Sequence, residues 1–174
     1  YNLLEWADKN LWIKKLKPIK YKEKLYNFYH NKSLNRINKA LAIKEIKDYE
    51  CINNINIGDI LSLFKKVDFN YLCDSENSYN FHGDFILDNI LSYNDEYMII
   101  DWRENLGDLF ESGDIYYDLA KLKHNIFFNH DNVENKLFNI SEINNNSCKV
   151  NLKCNFNLIS QLPKYNEFIL KNNY

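Results

Sequence analysis

The chain has 174 residues, 45% of them hydrophobic and including 11 Phe, 13 Tyr and 3 Trp, enough to build a core and to exclude wholesale disorder. Lys and Arg number 22 against 24 Asp and Glu, a net charge of −2, so no global field selects nucleic acid or an anionic membrane, and a charged ligand must be held locally. No apolar run reaches the ~20 residues of a bilayer span, and no signal-peptide core opens the chain, which points to a cytoplasmic protein with no membrane partner.

Length suits one domain over 1–174. Leu3, Leu4, Trp6, Ala7, Leu11, Trp12 and Leu16 recur at helical spacing, and Pro18 closes that segment. A second helix is expected from about Tyr21 to Ile46, apolar at Leu25, Phe28, Tyr29, Leu34, Ile37 and Leu41, with a break near Asn31-Lys32-Ser33. Gly58 or Asp59 opens a short helix, Ile60 to Lys66, with Leu61, Phe64 and Val67 inward.

The pattern then changes. His82 to Asn89 is a polar-studded loop, and the apolar runs Ile90-Leu91-Ser92 and Tyr97-Met98-Ile99-Ile100 flank the turn signal Asn94-Asp95, which predicts a hairpin. Gly113-Asp114 precedes a helix from about Ile115 to Phe128, whose aromatics Tyr116, Tyr117, Phe127 and Phe128 read as core. Val150, Leu152, Cys154 and Phe156 alternate with polar residues and pair with Leu137 to Ile143 in a second hairpin. A last helix follows Pro163 and turns Tyr165, Phe168, Ile169 and Leu170 inward. The fold class expected is α+β, mainly helical, with small β-hairpins. Cys51, Cys73, Cys148 and Cys154 contain no C-x-x-C pair and read as reduced thiols.

Phe81-His82-Gly83-Asp84-Phe85-Ile86-Leu87-Asp88-Asn89 carries the most chemistry. Phosphoryl transfer needs a carboxylate to take the attacking hydroxyl's proton and oxygen ligands to hold magnesium against the phosphates. Asp84 and Asn89, five positions apart, supply one of each, with the spacing of the kinase string H-R-D-x-x-x-x-N. Asp101 stands directly after the second strand of the hairpin, where kinases place the metal-binding Asp of D-F-G. His30, His124 and His130 share no ligand spacing, and Lys14 to Lys24 reads as a solvated face.

With Asp101-Trp102-Arg103 in place of D-F-G, and Gly113-Asp114-Ile115-Tyr116-Tyr117-Asp118-Leu119-Ala120 behind it, the stretch Asn80 to Leu122 resembles the aminoglycoside-phosphotransferase and choline-kinase-like family. The resemblance implies the C-terminal catalytic lobe of a protein-kinase-like fold. It implies Asp84 as catalytic base, Asn89 and Asp101 as ligands of magnesium and the bound nucleotide, and His82, Asp114 and Asp118 as supports of the loop. The implied activity is transfer of the γ-phosphate of ATP to a hydroxyl of a small molecule: a sugar, an amino alcohol or a choline-like compound.

The chain departs from that family before His82. No G-x-G-x-x-G occurs there, the first 57 residues contain no Gly, and Met98 is the sole Met. The nucleotide-gripping N-terminal lobe is therefore expected upstream of Tyr1, and this stretch alone is expected to bind nucleotide weakly and to transfer little phosphate. A catalytically silent binding module with the kinase shape is the alternative. A two-metal phosphoesterase ranks last, because D-x-H and G-N-H strings are absent.

Overall fold

The structure is a computed structural model that describes residues 2–15, 18–43, 50–74, 78–94, 96–110 and 112–174. Helix predominates over strand, and the sheets are small. In chain order the elements begin with α1 (Asn2–Asn10), β1 (Lys14–Lys15), α2 (Tyr21–Tyr26), a π-helical turn (Asn27–Asn31) and α3 (Lys32–Leu41). They continue with β2 (Cys51–Ile52), β3 (Ile55–Asn56), α4 (Ile60–Lys65), α5 (Phe69–Leu72), β4 (Ser78–Tyr79), a 3-10 turn (Leu87–Asn89), β5 (Ile90–Tyr93) and β6 (Glu96–Ile99). The remainder comprises β7 (Asn105–Leu106), β8 (Leu109–Phe110), α6 (Ile115–Phe127), α7 (His130–Glu134), β9 (Phe138–Ser141), β10 (Ser147–Leu152), α8 (Phe156–Ile159) and α9 (Leu162–Lys171). Among the described residues no helix is long and apolar enough to cross a membrane.

Contacts divide the chain into two compact units. The first gathers Tyr1–Leu25, Ser75–Asn129 and Cys154–Tyr174; the second gathers Tyr26–Asp74 and His130–Lys153. Among the described residues, every buried apolar side chain belongs to the first unit except Cys73 and Cys148.

In the first unit the core follows helical periodicity. Leu4, Ala7 and Leu11 come from the α1 segment, Ile115, Leu119 and Leu122 from α6, and Tyr165 and Phe168 from α9, and all pack with Trp12 and Phe85. The Tyr165 hydroxyl donates to the Leu119 carbonyl at 2.9 Å, and burial pushes its phenol up to about 12. Asp114 caps α6 by accepting from the Tyr116 amide at 3.0 Å. β1 pairs antiparallel with β4, and Tyr79 exchanges backbone hydrogen bonds with Gly113, so the chain entering the His82 loop is tied to the start of α6. The ring of Phe81 lies where a Cβ on Gly113 would stand, 2.8 Å away, so that position has room only for glycine.

In the second unit β2 and β3 form a hairpin through Asn53 and Asn54, both left-handed. β10 joins β2 in parallel and β9 antiparallel, giving the order β3-β2-β10-β9. The Asn53 side chain extends this ladder, accepting from Val150 N and donating to Val150 O. His30 stacks on Tyr26 and meets Phe64 and Phe69, each ring pair 5.2 Å apart.

Several expectations change. α1 stops at Asn10, and Trp12 is buried beyond the helix rather than on it. The break in the second helix is a π-helical turn that begins earlier, at Asn27. Val67 is exposed, since α4 ends at Lys65. Leu170 is 78% exposed because Tyr165 and Phe168 set the inner face of α9. Cys154 and Phe156 lie past the end of β10, and Phe156 instead begins α8. Tyr116 and Phe127 are exposed, because the core stripe of α6 runs through Ile115, Leu119, Leu122 and Ile126. Leu16 and the expected helix end at Ile46 lie outside the described residues.

Candidate active site

The loop 81–89 is built around a tight turn at Gly83, whose φ of +80° lies in the left-handed region. A Cβ there would stand 2.6 Å from Arg103 Cβ. Behind this turn sits Asp118, fully buried. Its Oδ2 accepts from His82 N at 2.7 Å and from Trp12 Nε1 at 3.1 Å, and Oδ1 accepts from Gly83 N at 2.8 Å. Burial pushes the Asp118 carboxyl above its ordinary value, and the three donors offset part of that. Asp118 therefore fixes the turn through its backbone amides.

His82 ties the loop to the segment after β6. Its Nε2 lies 2.7 Å from the Ile100 carbonyl, and its Nδ1 accepts from Asp84 N at 3.2 Å. The Nε2–H tautomer satisfies both partners at once. Two backbone bonds close the same seam: Ile100 N to Asn89 O at 3.0 Å and Arg103 N to His82 O at 2.9 Å. The loop that carries Asp84 and Asn89 is thus laced to the turn that carries Asp101.

Three predicted side chains stand near this seam in different states. Asn89 is buried and donates through Nδ2 to the Asp84 carbonyl at 3.0 Å, which directs its amide oxygen elsewhere. Asp101 is exposed, takes no hydrogen bond among the described residues, and has a φ of +59°. That left-handed backbone is uncommon outside glycine and best tolerated by Asn and Asp. Asp84 has a side chain 15% exposed and is held by two cations: Arg103 Nη2 is 2.8 Å from Oδ2 and Lys121 Nζ is 2.7 Å from Oδ1. Burial alone would raise the Asp84 carboxyl, but hydrogen bonds and charge from Lys121 and Arg103 outweigh it and leave the group below its ordinary value.

Asp114, expected to support the loop, is buried and caps α6. Asp88 is exposed, with Asn125 Nδ2 3.3 Å from its Oδ2. Lys121 and Asn125 were not singled out from the sequence. Asn125 Oδ1 accepts from Leu87 N at 3.0 Å. The signal that finds both is spacing: Asp118, Lys121 and Asn125 fall at i, i+3 and i+7, a polar stripe beside the apolar stripe of α6.

Among the described residues no group of three His, Cys, Asp or Glu gathers as a metal-ligand set. The Asn89 amide oxygen and the Asp101 carboxylate are hard oxygen donors, the type magnesium takes. That ion commonly uses one or two carboxylates and fills its remaining positions with water and phosphate. The donor chemistry fits magnesium better than zinc or copper, which favour imidazole and thiolate.

No protein-family profile, curated protein or solved structure matches this chain.

Proposed function

We propose that the first unit is the catalytic part of a phosphotransferase that moves the γ-phosphate of ATP to a hydroxyl of a small molecule, such as a sugar, an amino alcohol or a choline-like compound. The observation that carries this reading is the seam. Bonds from Ile100 to Asn89 and from Arg103 to His82 bring the string H-G-D-x-x-x-x-N against the strand-end Asp101. In this reading Asp84 orients the acceptor hydroxyl and takes its proton. A lowered carboxylate is a weak base, but phosphoryl transfer passes through a loose transition state in which positioning matters more than basicity. Asn89 and Asp101 are the residues that would hold magnesium, whose contribution when bound is to neutralise phosphate charge. His82, Asp114 and Asp118 act on the loop and not on substrate.

The two-cation clamp favours a second reading, a silent module in which Asp84 is a structural ion-pair centre. Incubating the full-length protein with labelled ATP, magnesium and a panel of hydroxylated acceptors separates the two. Transfer to at least one acceptor, lost in Asp101→Asn, supports the enzyme; binding of a panel member without transfer supports the silent module.

A further inference from the structure

Asp84 has one negative charge and two cations in contact with it, and the two differ in kind. The Arg103 side chain is 62% exposed and reaches in from the turn after Asp101, whereas Lys121 is 34% exposed and projects from α6. An ion pair made by so exposed a side chain adds little and exchanges readily with solvent or ligand. Lys121 is anchored better, since Asp118 on the same helical stripe grips the loop three residues earlier. Lys121 also keeps donors to spare. Asp84 Oδ1 is buried, and the Lys121 ammonium lies 2.7 Å from it. The lysine ammonium has three N–H bonds, and one contact with Oδ1 leaves others to donate to a ligand. Asp84 is the only partner of its ammonium among the described residues. Taken together the three groups carry one surplus positive charge, which a further anion can neutralise.

We propose that Lys121 is a catalytic residue of this site that contacts the transferring phosphoryl group, while Arg103 holds the place on Asp84 that the acceptor hydroxyl takes. This rests on the phosphotransferase reading above and adds a residue and an order of events to it. The acceptor hydroxyl displaces Arg103 from Oδ2. Its oxygen forms the new bond to the γ-phosphorus as the bond to the β–γ bridging oxygen breaks, that oxygen keeps the electron pair, and the hydroxyl proton passes to Asp84 Oδ2. Lys121 stays on Oδ1 and donates a second N–H to a γ-phosphoryl oxygen, where negative charge must be held through the transfer.

The test compares binding of tripolyphosphate, Mg·ATP and Mg·ADP by calorimetry on the full-length protein and its Lys121→Met, Lys121→Arg and Lys123→Met variants. Lys123 is an exposed cation on the same helix and serves as control. Lys121→Met should weaken tripolyphosphate and Mg·ATP by about tenfold, as loss of a charge-assisted contact does, and leave Mg·ADP unchanged. Lys121→Arg should recover part of the loss, and Lys123→Met should bind all three like wild type. A merely structural lysine would weaken ATP and ADP alike. Equal binding of tripolyphosphate by wild type and Lys121→Met, or parallel loss of ATP and ADP, overturns the proposal. Asp101→Asn separates the two ideas: loss of magnesium-dependent ATP binding there, with no effect of Lys121→Met, keeps the phosphotransferase and sinks the role of Lys121. Lys121-dependent tripolyphosphate binding that is indifferent to magnesium and to Asp101 keeps the phosphate contact and sinks the kinase reading.

Discussion

The two sides of the loop 81–89 hold their carboxylates by opposite means. At the rear, Asp118 is fully buried, pairs with no Lys or Arg among the described residues, and is satisfied by two backbone amides and an indole N–H. At the front, Asp84 is partly exposed, and its carboxylate is held by charges on long side chains. Donors fixed in backbone cannot rearrange without unfolding the turn, whereas side-chain cations can move aside for a ligand. The contrast teaches which half of the loop is scaffold and which half is available for chemistry.

Substitution should pull the two sides apart. The largest effect expected is at the front: Asp84→Ala should lower turnover on the acceptor by about 10²–10⁴, the usual worth of a positioned base. Its melting temperature should stay within a few degrees of wild type, since a part-exposed ion pair contributes about 1 kcal/mol or less. Steady-state kinetics and a thermal melt check both halves. At the rear, Asp118→Ala should do the reverse and cost about 3 kcal/mol or more of stability, because it strips the partner from three buried donors. Denaturant unfolding measures it; a loss below about 1 kcal/mol would break the distinction. Gly83→Ala comes next, at about 1–3 kcal/mol, since the alanine must hold a left-handed backbone against the Arg103 stem.

The smallest effect is in pH, and its sign differs between the two carboxylates. Asp84 is lowered in the fold, so its stabilisation is present above the ordinary value of 3.8 and is lost as pH falls through its lowered value. Asp118 is raised, so its protonated form is favoured in the fold, and its contribution declines as pH climbs from 3.8 through its raised value. Asp84→Asn should therefore flatten the acid limb of the stability curve below about pH 4 by less than about 1 kcal/mol. Unfolding across pH 2–6 (roughly the carboxylate range) would show it. A steeper limb in the variant would mean the sign is wrong.

Legibility from sequence followed the range of the interactions. The loop and the β5–β6 hairpin could be read because a five-residue spacing and a two-residue alternation are local signals. The Asp118 carboxylate was assigned to the loop on resemblance, and its three bonds give that placement a mechanism. Trp12 looked like one more apolar helix residue, yet its indole reaches Asp118 across 106 positions, which no periodicity reports. Lys121 escaped for the same reason, as a lysine on a helix reads as solvated until its partner is known. β1 is two lysines, Lys14 and Lys15, defined only by pairing with β4. The β2–β3 hairpin was detectable, because Asn53-Asn54 between Cys51-Ile52 and Ile55-Asn56 is a turn signal of the left-handed kind. In a chain this rich in asparagine the pair does not stand out from its surroundings.

The left-handed backbone of Asp101 has a consequence for anyone building a saturation library at that position. Asn and Gly are the replacements that accept its φ of +59° most easily, so these two should dominate the folded, well-expressed clones. Only aspartate combines that tolerance with a charge. Sorting the library once for expression and once for metal-dependent activity should therefore return two different winners, and position 101 becomes a place where selection for folding and selection for function can be told apart clone by clone.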